Sequence, residues 1–400
     1  MLEFLATGLL DLPWWGVLLA ALSMVFVTTL ATTLYLHRDQ THRALDLHPS
    51  IQHGFRFWLW LSTGINTREW VAIHRKHHAR CETVDDPHSP QIHGLKKVLL
   101  EGAELYRAEG KNPETIEKFG RGAPADWIER NLYSAHPWFG IVLMVLIDIA
   151  LFGAIGITVL AVQMAAMPVM SAGVINGIGH YWGYRNFECK DAATNIMPFG
   201  FWFGGEELHN NHHAYPSSAK FALRRGEFDV GWLMIRLFQT LGLAKVRRVA
   251  PVLAQVEREH LDLDGVRAII VARLHVLRDF TRTVTLPTLA DEWHRVGDAS
   301  GRVWRRAKVV LTRERMLLDE RAHAQLDDIL SRSEMLETVY AFRERLTRLW
   351  ESSAASNDRL VADFRAWIHE AEQSGIESLE AFARRLRGYQ LAPSLYAGQR

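Results

Sequence analysis

The sequence has only two cysteines, Cys81 and Cys189, which excludes a disulfide scaffold, a four-cysteine iron–sulfur cluster and a cysteine-rich zinc module within the chain. Charge of one sign is also lacking. A formal net charge of +1 argues against a nucleic-acid binder, and no nucleic-acid partner is expected. The first fifteen residues contain no lysine or arginine, and the apolar stretch behind them runs on into a histidine cluster, so no cleavable signal peptide is expected. The last third lacks any metal or nucleotide motif, and its His260, His275, His294, His323 and His369 share no spacing.

Histidine is abundant elsewhere and gathers in three places: His37 and His42 in HRDQTHR, His74, His77 and His78 in HRKHH, and His209, His212 and His213 in HNNHH. In the second and third clusters the spacing i, i+3, i+4 puts three imidazoles on one face of a helix, close enough to share one or two metal ions. Neutral imidazole is the commonest side-chain ligand for iron, copper, nickel and zinc, and packing gives no reason for such spacings. The clusters lie beside long apolar runs, which points to a metal centre at a membrane surface.

Residues 12–36 carry no charge and are long enough to cross a bilayer. Trp138 to Gly179 is about twice that length, with Asp148 as its single charge, and reads as two antiparallel spans, 138–157 and 158–179, turning near Gly153 to Gly156. Residues 55–65 are apolar but too short to cross, so they are expected to lie in the interface. This arrangement returns all three clusters to one face. The basic residues Arg68, Arg75, Lys76, Arg80, Lys96 and Lys97 between the first spans place that face in the cytoplasm, with Trp14, Trp15, Trp138 and Trp202 as interfacial belts. The expected architecture is an all-α integral membrane protein: residues 1–243 form transmembrane helices capped by a cytoplasmic helical part carrying the His-rich site. Residues 244–400 follow as a soluble amphipathic helical tail, with helices such as Val266 to Phe280 and Glu334 to Trp350 and a loop at Ser352 to Asn357.

Residues 30 to about 243 resemble the membrane-bound fatty-acid desaturases, closest to the acyl-CoA (stearoyl-CoA) delta-9 branch and of bacterial type. The resemblance rests on H-x-x-x-x-H at 37–42, H-x-x-H-H at 74–78 and at 209–213, NGIGHYWGYR at Asn176 to Arg185, and ETVDDPHSP after the second cluster. It implies two ferrous ions held by His37, His42, His74, His77, His78, His180, His209, His212 and His213, with Asn176 reaching one iron through water. It further implies a bacterial inner (plasma) membrane enzyme that introduces a cis double bond, delta-9 by analogy, into an acyl chain of phospholipid or acyl-CoA. Animal members carry polar and basic CoA-binding residues where this chain has Ser89-Pro90-Gln91-Ile92-His93, which favours the phospholipid substrate.

Removing hydrogen from an unactivated methylene pair is beyond any side chain and requires a metal that activates dioxygen. With two cysteines and no haem or flavin motif, the chain needs a separate electron donor, a ferredoxin or a cytochrome with its reductase. Asp39, Glu69, Glu82, Asp85, Asp86, Glu206 and Glu207 are candidates to orient imidazoles through their free ring N–H. Trp58, Trp70, Tyr181 and Trp182 are candidates to line an acyl tunnel, and core packing accounts for them equally well. A fatty-acid or alkane hydroxylase would use similar histidines. A His-lined metal transporter would instead place its ligands inside spans, at the bilayer midplane.

Overall fold

Long apolar runs fold here as long helices. In the computed structural model, which describes residues 2–296, 301–351 and 356–393, helix α1 (Trp14–Thr41) is continuous for 28 residues, and Pro137–Ile178 forms a second apolar helical stretch of 42. Both are long and apolar enough to cross a membrane. The second is a hairpin of α5 (Pro137–Phe152) and α6 (156–178). Gly153 makes the corner at φ +69°, where an added Cβ would lie 2.6 Å from the Leu5 carbonyl. The lone charge of this stretch is paired across the hairpin, with Gln163 Nε2 donating to Asp148 Oδ2 at 3.0 Å.

The end of α1 departs from α-helical geometry. Residues 31–41 run as a π-helix, and the i→i−5 bonds continue beyond it, with His42 N donating to the His37 carbonyl at 3.1 Å. A wider turn of this kind returns residues five apart to nearly the same face, and π-turns cluster at functional sites. The spacing of His37 and His42 therefore fits the backbone that carries them. The helix extends past the expected end at Leu36, so His37 sits on it rather than beyond it.

After a short strand, β1 (Leu45–Leu47), helix α2 (Pro49–Thr63) packs along α5 and ends at Gly64, whose φ is +65°. Fifteen residues span roughly 22 Å, less than a hydrocarbon core. Asn66 caps the next helix, α3 (Thr67–Arg80), by accepting from Arg68 N and Glu69 N. Helix α4 (Leu95–Gly110) crosses α6 closely: a Cβ on Gly102 would meet the Ala172 carbonyl at 2.7 Å, and one on Gly173 the Leu99 carbonyl at 3.2 Å. The short α7 (His209–Ala214) is held by Asn211, which donates from its backbone N to Asn195 Oδ1 and from Nδ2 to the Phe221 carbonyl and Glu227 Oε2.

The chain divides into two units, residues 1–185 with 191–250, and residues 186–190 with 251–398. The second starts at Pro251, not near Ala244, because β2 (Ala244–Val246) pairs antiparallel with β1 and belongs to the first unit. Within the second unit β3 (Leu253–Gln255) pairs with β4 (Tyr389–Leu391), enclosing helices α8 (Leu263–Val271), α9 (Arg273–Phe280), α10 (Leu286–Val296), α11 (Gly301–Thr312), α12 (Glu320–Ser331), α13 (Glu334–Glu351), α14 (Asn357–Glu372) and α15 (Glu377–Arg387). Phe280, Phe364, Trp367 and Phe382 fill its main core. The helix expected over Val266 to Phe280 is broken at Ala272, which leaves helical backbone at φ −102°, ψ 23°. Most of the loop expected at Ser352 to Asn357 lies outside the described residues; Ser356 caps α14.

Candidate metal centre

The histidines that sequence spacing singled out converge in the first unit, and they sort into two groups. His37, His42, His74, His78 and His212 form one, with one ring nitrogen of each within 4.8 Å of the others. His77, Cys81, His180 and His213 form the other under the same criterion, and His209 joins it through His180. Each H-x-x-H-H helix is thus divided. α3 sends His74 and His78 to the first group and His77 to the second, while α7 sends His212 to the first and His209 and His213 to the second. His180 is not on α6 but in the turn beyond it, which ends at Ile178.

The donor set calls for cations. His37 Nδ1 pairs with Glu206 Oε1 at 2.8 Å, His77 Nδ1 with Asp86 Oδ1 at 2.9 Å, His180 Nδ1 with Glu82 Oε1 at 3.0 Å and His213 Nδ1 with Asp191 Oδ2 at 3.1 Å. A carboxylate accepts, so each ring keeps its proton on Nδ1 and turns the Nε2 lone pair inward. Two such lone pairs face each other, His77 Nε2 and His180 Nε2, at 3.1 Å, and His209 Nε2 lies 3.0 Å from the latter. In the other group the Nε2 atoms of His37, His212, His78 and His74 follow one another at 3.1, 2.9 and 3.1 Å. Nε2 of His42 and of His213 is buried without a hydrogen-bond partner. Lone pairs at such separations are mutually repulsive unless a proton or a metal ion sits between them, so the arrangement suits metal binding.

Electrostatics favours neutral rings at five of these positions. Burial, then the neighbouring imidazoles, holds His74, His78, His209, His212 and His213 well below the ordinary histidine value. Burial acts the same way on His77, but the Asp86 carboxylate outweighs it and raises that ring. Asp86 itself is desolvated yet held low by His77. Burial pushes the Cys81 thiol well up, and nearby carboxylates add to this, so it remains a thiol 3.8 Å from His77 Nε2.

Of the carboxylates expected to orient imidazoles, Glu82, Asp86 and Glu206 do so. Asp39 instead accepts from Gln40 and Gln52, Glu207 accepts from the backbone N–H of Phe203 and Gly205, and Asp85 is exposed. Glu69 lines the adjoining cavity and bonds no imidazole among the described residues. Three residues escaped sequence reasoning. Asp191 lies 22 positions from the ring it orients. Cys81 follows His77 by one helical turn. His88, which is 5% exposed, stacks on His77 at 4.4 Å with Nε2 unpartnered. Arg38, fully buried between the first two histidines in sequence, anchors their helix: its guanidinium bonds Asp229 and the carbonyls of Ala219 and Gly204 and lies 3.8 Å over the Phe221 ring.

An apolar cavity of about 350 Å³ ends at this centre, where His37, His74, His88 and His209 form part of its wall together with Asn176. Four threonines of α1, Thr28, Thr29, Thr32 and Thr33, line one side. Thr28, Thr29 and Thr32 donate to the carbonyls four residues back at 3.1, 3.1 and 2.9 Å, and Thr33 donates to Glu206, so their hydroxyls are already satisfied. Trp70 lines the cavity as expected. Trp58 does not; it stands behind the wall, donating to Thr28 Oγ1 at 2.9 Å. Tyr181 and Trp182 are 57% and 69% exposed and point elsewhere, because the chain leaves α6 before reaching them.

Comparison with known proteins gives the family of the first unit. The sequence profile of the family described as fatty acid desaturase matches residues 12–227. The chain is 30% identical over 252 residues to the sn-2 palmitoyl-lipid 9-desaturase of Nostoc sp. (strain 36), covering 60% of this chain and 86% of that one. It is 28% identical to delta-9 acyl-lipid desaturase 2 of Arabidopsis thaliana, covering 58% and 74%. Identity to the delta-9 desaturase-like 4 protein of the same plant is 27%, covering 58% and 76%. A second profile, described as transposase, matches residues 266–392. Among the described residues, none of the acidic side chains of that stretch joins a group able to hold a metal ion.

Proposed function

Because the chain belongs to the fatty acid desaturase family, and is a fatty-acid desaturase of the delta-9-like kind, we propose that it desaturates acyl chains esterified in membrane phospholipid at a centre of two iron ions. The observation that carries this reading is the junction of an apolar cavity with two converging imidazole groups. His37, His42, His74, His78 and His212 would hold one ion; His77, His180, His209 and His213 the other, with Asn176 reaching it through water. When bound, the irons supply the oxidising power that dioxygen needs to break unactivated C–H bonds.

The chain's own residues do the rest. Glu82, Asp86, Asp191 and Glu206 hold four rings in the tautomer that presents Nε2. The cavity wall binds the acyl chain and excludes water from the reacting carbons. In balance, one C–H bond breaks at each of two neighbouring carbons and a second carbon–carbon bond forms. Dioxygen takes two hydrogens, as two electrons and two protons, from the acyl chain and two electrons with two more protons from outside, and leaves as two waters. A separate ferredoxin-like or cytochrome donor with its reductase supplies the outside pair, since the chain holds only two cysteines.

The phospholipid assignment draws on the acyl-lipid names of two relatives and on the absence of a basic cluster directly after His88. We also assign the enzyme to a bacterial inner membrane with the metal centre on the cytoplasmic face, from the basic residues between 68 and 97. The test supplies membranes containing the enzyme with labelled phospholipid or labelled acyl-CoA, acyl transfer being blocked. A double bond first seen in phospholipid, nine carbons from the carboxyl end by analogy with the relatives, is the expected result. A first appearance in acyl-CoA overturns the carrier assignment.

A further inference from the structure

The second unit has near-balanced charge but an uneven surface. Helices α11 and α12 form a hollow lined by Arg305, Arg306, Val309 and Arg321, with Asp319 as the one carboxylate in its wall. Arg305 and Arg306 lie four and three positions before Val309, so each neighbours it on the helix surface. Arg306 and Arg321 are exposed, as is Lys308. Val309 stands among them 47% exposed, and Met316 in the turn between the two helices is 69% exposed. Asp319 is already engaged, accepting from Ala322 N as the cap of α12. No carboxylate pairs with Arg306 or Arg321 among the described residues.

Guanidinium groups around an exposed apolar residue match the interface of an anionic leaflet. Arginine bonds phosphate oxygens in pairs, and an aliphatic side chain between the arginines can enter the acyl boundary. We propose that this α11–α12 face of the second unit docks on anionic phospholipid headgroups of the membrane that holds the first unit. The inference rests on the membrane placement proposed above. Tethering to an embedded unit keeps the face at high local concentration near lipid, so a few basic groups suffice. Each contributes about fivefold to adsorption on an anionic surface.

The experiment uses the full chain carrying Val309→Cys, labelled with a nitroxide and reconstituted in vesicles of phosphatidylcholine alone or with phosphatidylglycerol. The label's accessibility to a water-soluble and to a lipid-soluble relaxation agent is read against the unsubstituted chain. The expected result is shielding from the aqueous agent, with gain of lipid contact, only where phosphatidylglycerol is present. That shielding should disappear at high salt, which tests the charges without any substitution. Arg306→Gln with Arg321→Gln should weaken it roughly twenty-fivefold. Integration of the chain with a label indifferent to lipid charge overturns the docking alone. Failure to integrate in either vesicle overturns the membrane placement and the docking with it. Shielding by a short DNA duplex but not by phosphatidylglycerol assigns the face to nucleic acid and overturns the lipid reading.

Discussion

His77 and His78 are neighbours in the chain, yet their Nε2 atoms serve different groups: that of His77 lies 3.1 Å from His180 Nε2, and that of His78 lies 3.1 Å from His74 Nε2. The short α3 therefore contributes rings to both groups, and on the proposed reading it would divide two ion sites. Removing a ring from one group should empty that site first. His42→Ala and His180→Ala are each expected to lose about half of the bound metal and all desaturation, while His136→Ala and His323→Ala keep both. Elemental analysis with product assay reads this out; a His180→Ala enzyme with full metal and normal product would sink the assignment of that ring.

The carboxylates behind the rings should be felt in affinity before they are felt in fold. Asp191→Asn leaves shape nearly unchanged but no longer fixes the His213 proton at Nδ1. Metal affinity is expected to fall by about 10- to 100-fold, measured by competition with a chelator. Asp39→Asn, whose carboxylate bonds only glutamines, should bind metal normally.

Gly102 lies where α4 meets α6, and it also lines the cavity. Gly102→Leu should push the helices apart at Ala172 and fill part of the cavity, costing about 1 to 3 kcal/mol. Thermal unfolding checks the first effect. A shift of product toward shorter acyl chains checks the second, and an unaltered chain-length profile would remove Gly102 from the substrate wall.

His275 gives the second unit an acid limit. Burial, then Arg278, lowers this ring to about 4, below its unfolded value. A base whose folded value is depressed stabilises the fold above the unfolded value and loses that contribution as pH falls toward the folded one. Stability of the unit should thus drop by about 3 kcal/mol between roughly pH 6.5 and pH 4. His275→Phe, which keeps the contact with the Phe187 ring, should flatten this limb in pH-dependent melting. A slope unchanged by the substitution would show that another group sets the limit.

Much of the site was legible in the sequence because metal ligation imposes spacings that nothing else imposes. His74, His77 and His78 had to share a helix, whereas Asn176 and His180 were singled out only by the family resemblance. What was not legible depends on contacts between distant segments. Asp191 reaches His213 across a loop, and the ion pair of Arg38 with Asp229 joins positions 191 residues apart, so neither leaves a local pattern. The division of each cluster between two groups was equally hidden, since one helix face does not tell which side of it a neighbouring ion will occupy. In the fold, three-residue strands such as β2 are too short for alternation to show, which is why the start of the second unit was misplaced by a few residues. Tyr181 and Trp182 were candidates for a tunnel wall or for core packing, and the turn after α6 carries them to the surface instead.

The threonine wall and His37 belong to one unbroken helix. On the proposed reading, the offset between residues 28–33 and residue 37 within this single body, together with the α4 and α6 residues of the cavity wall, would set where along an acyl chain the oxidation falls. A membrane that thickens on cooling can tilt this body or slow the entry of lipid, but it cannot slide the measuring surface past the reacting end. Turnover should follow the physical state of the bilayer, while the position of the new double bond should stay the same at every temperature at which the enzyme works.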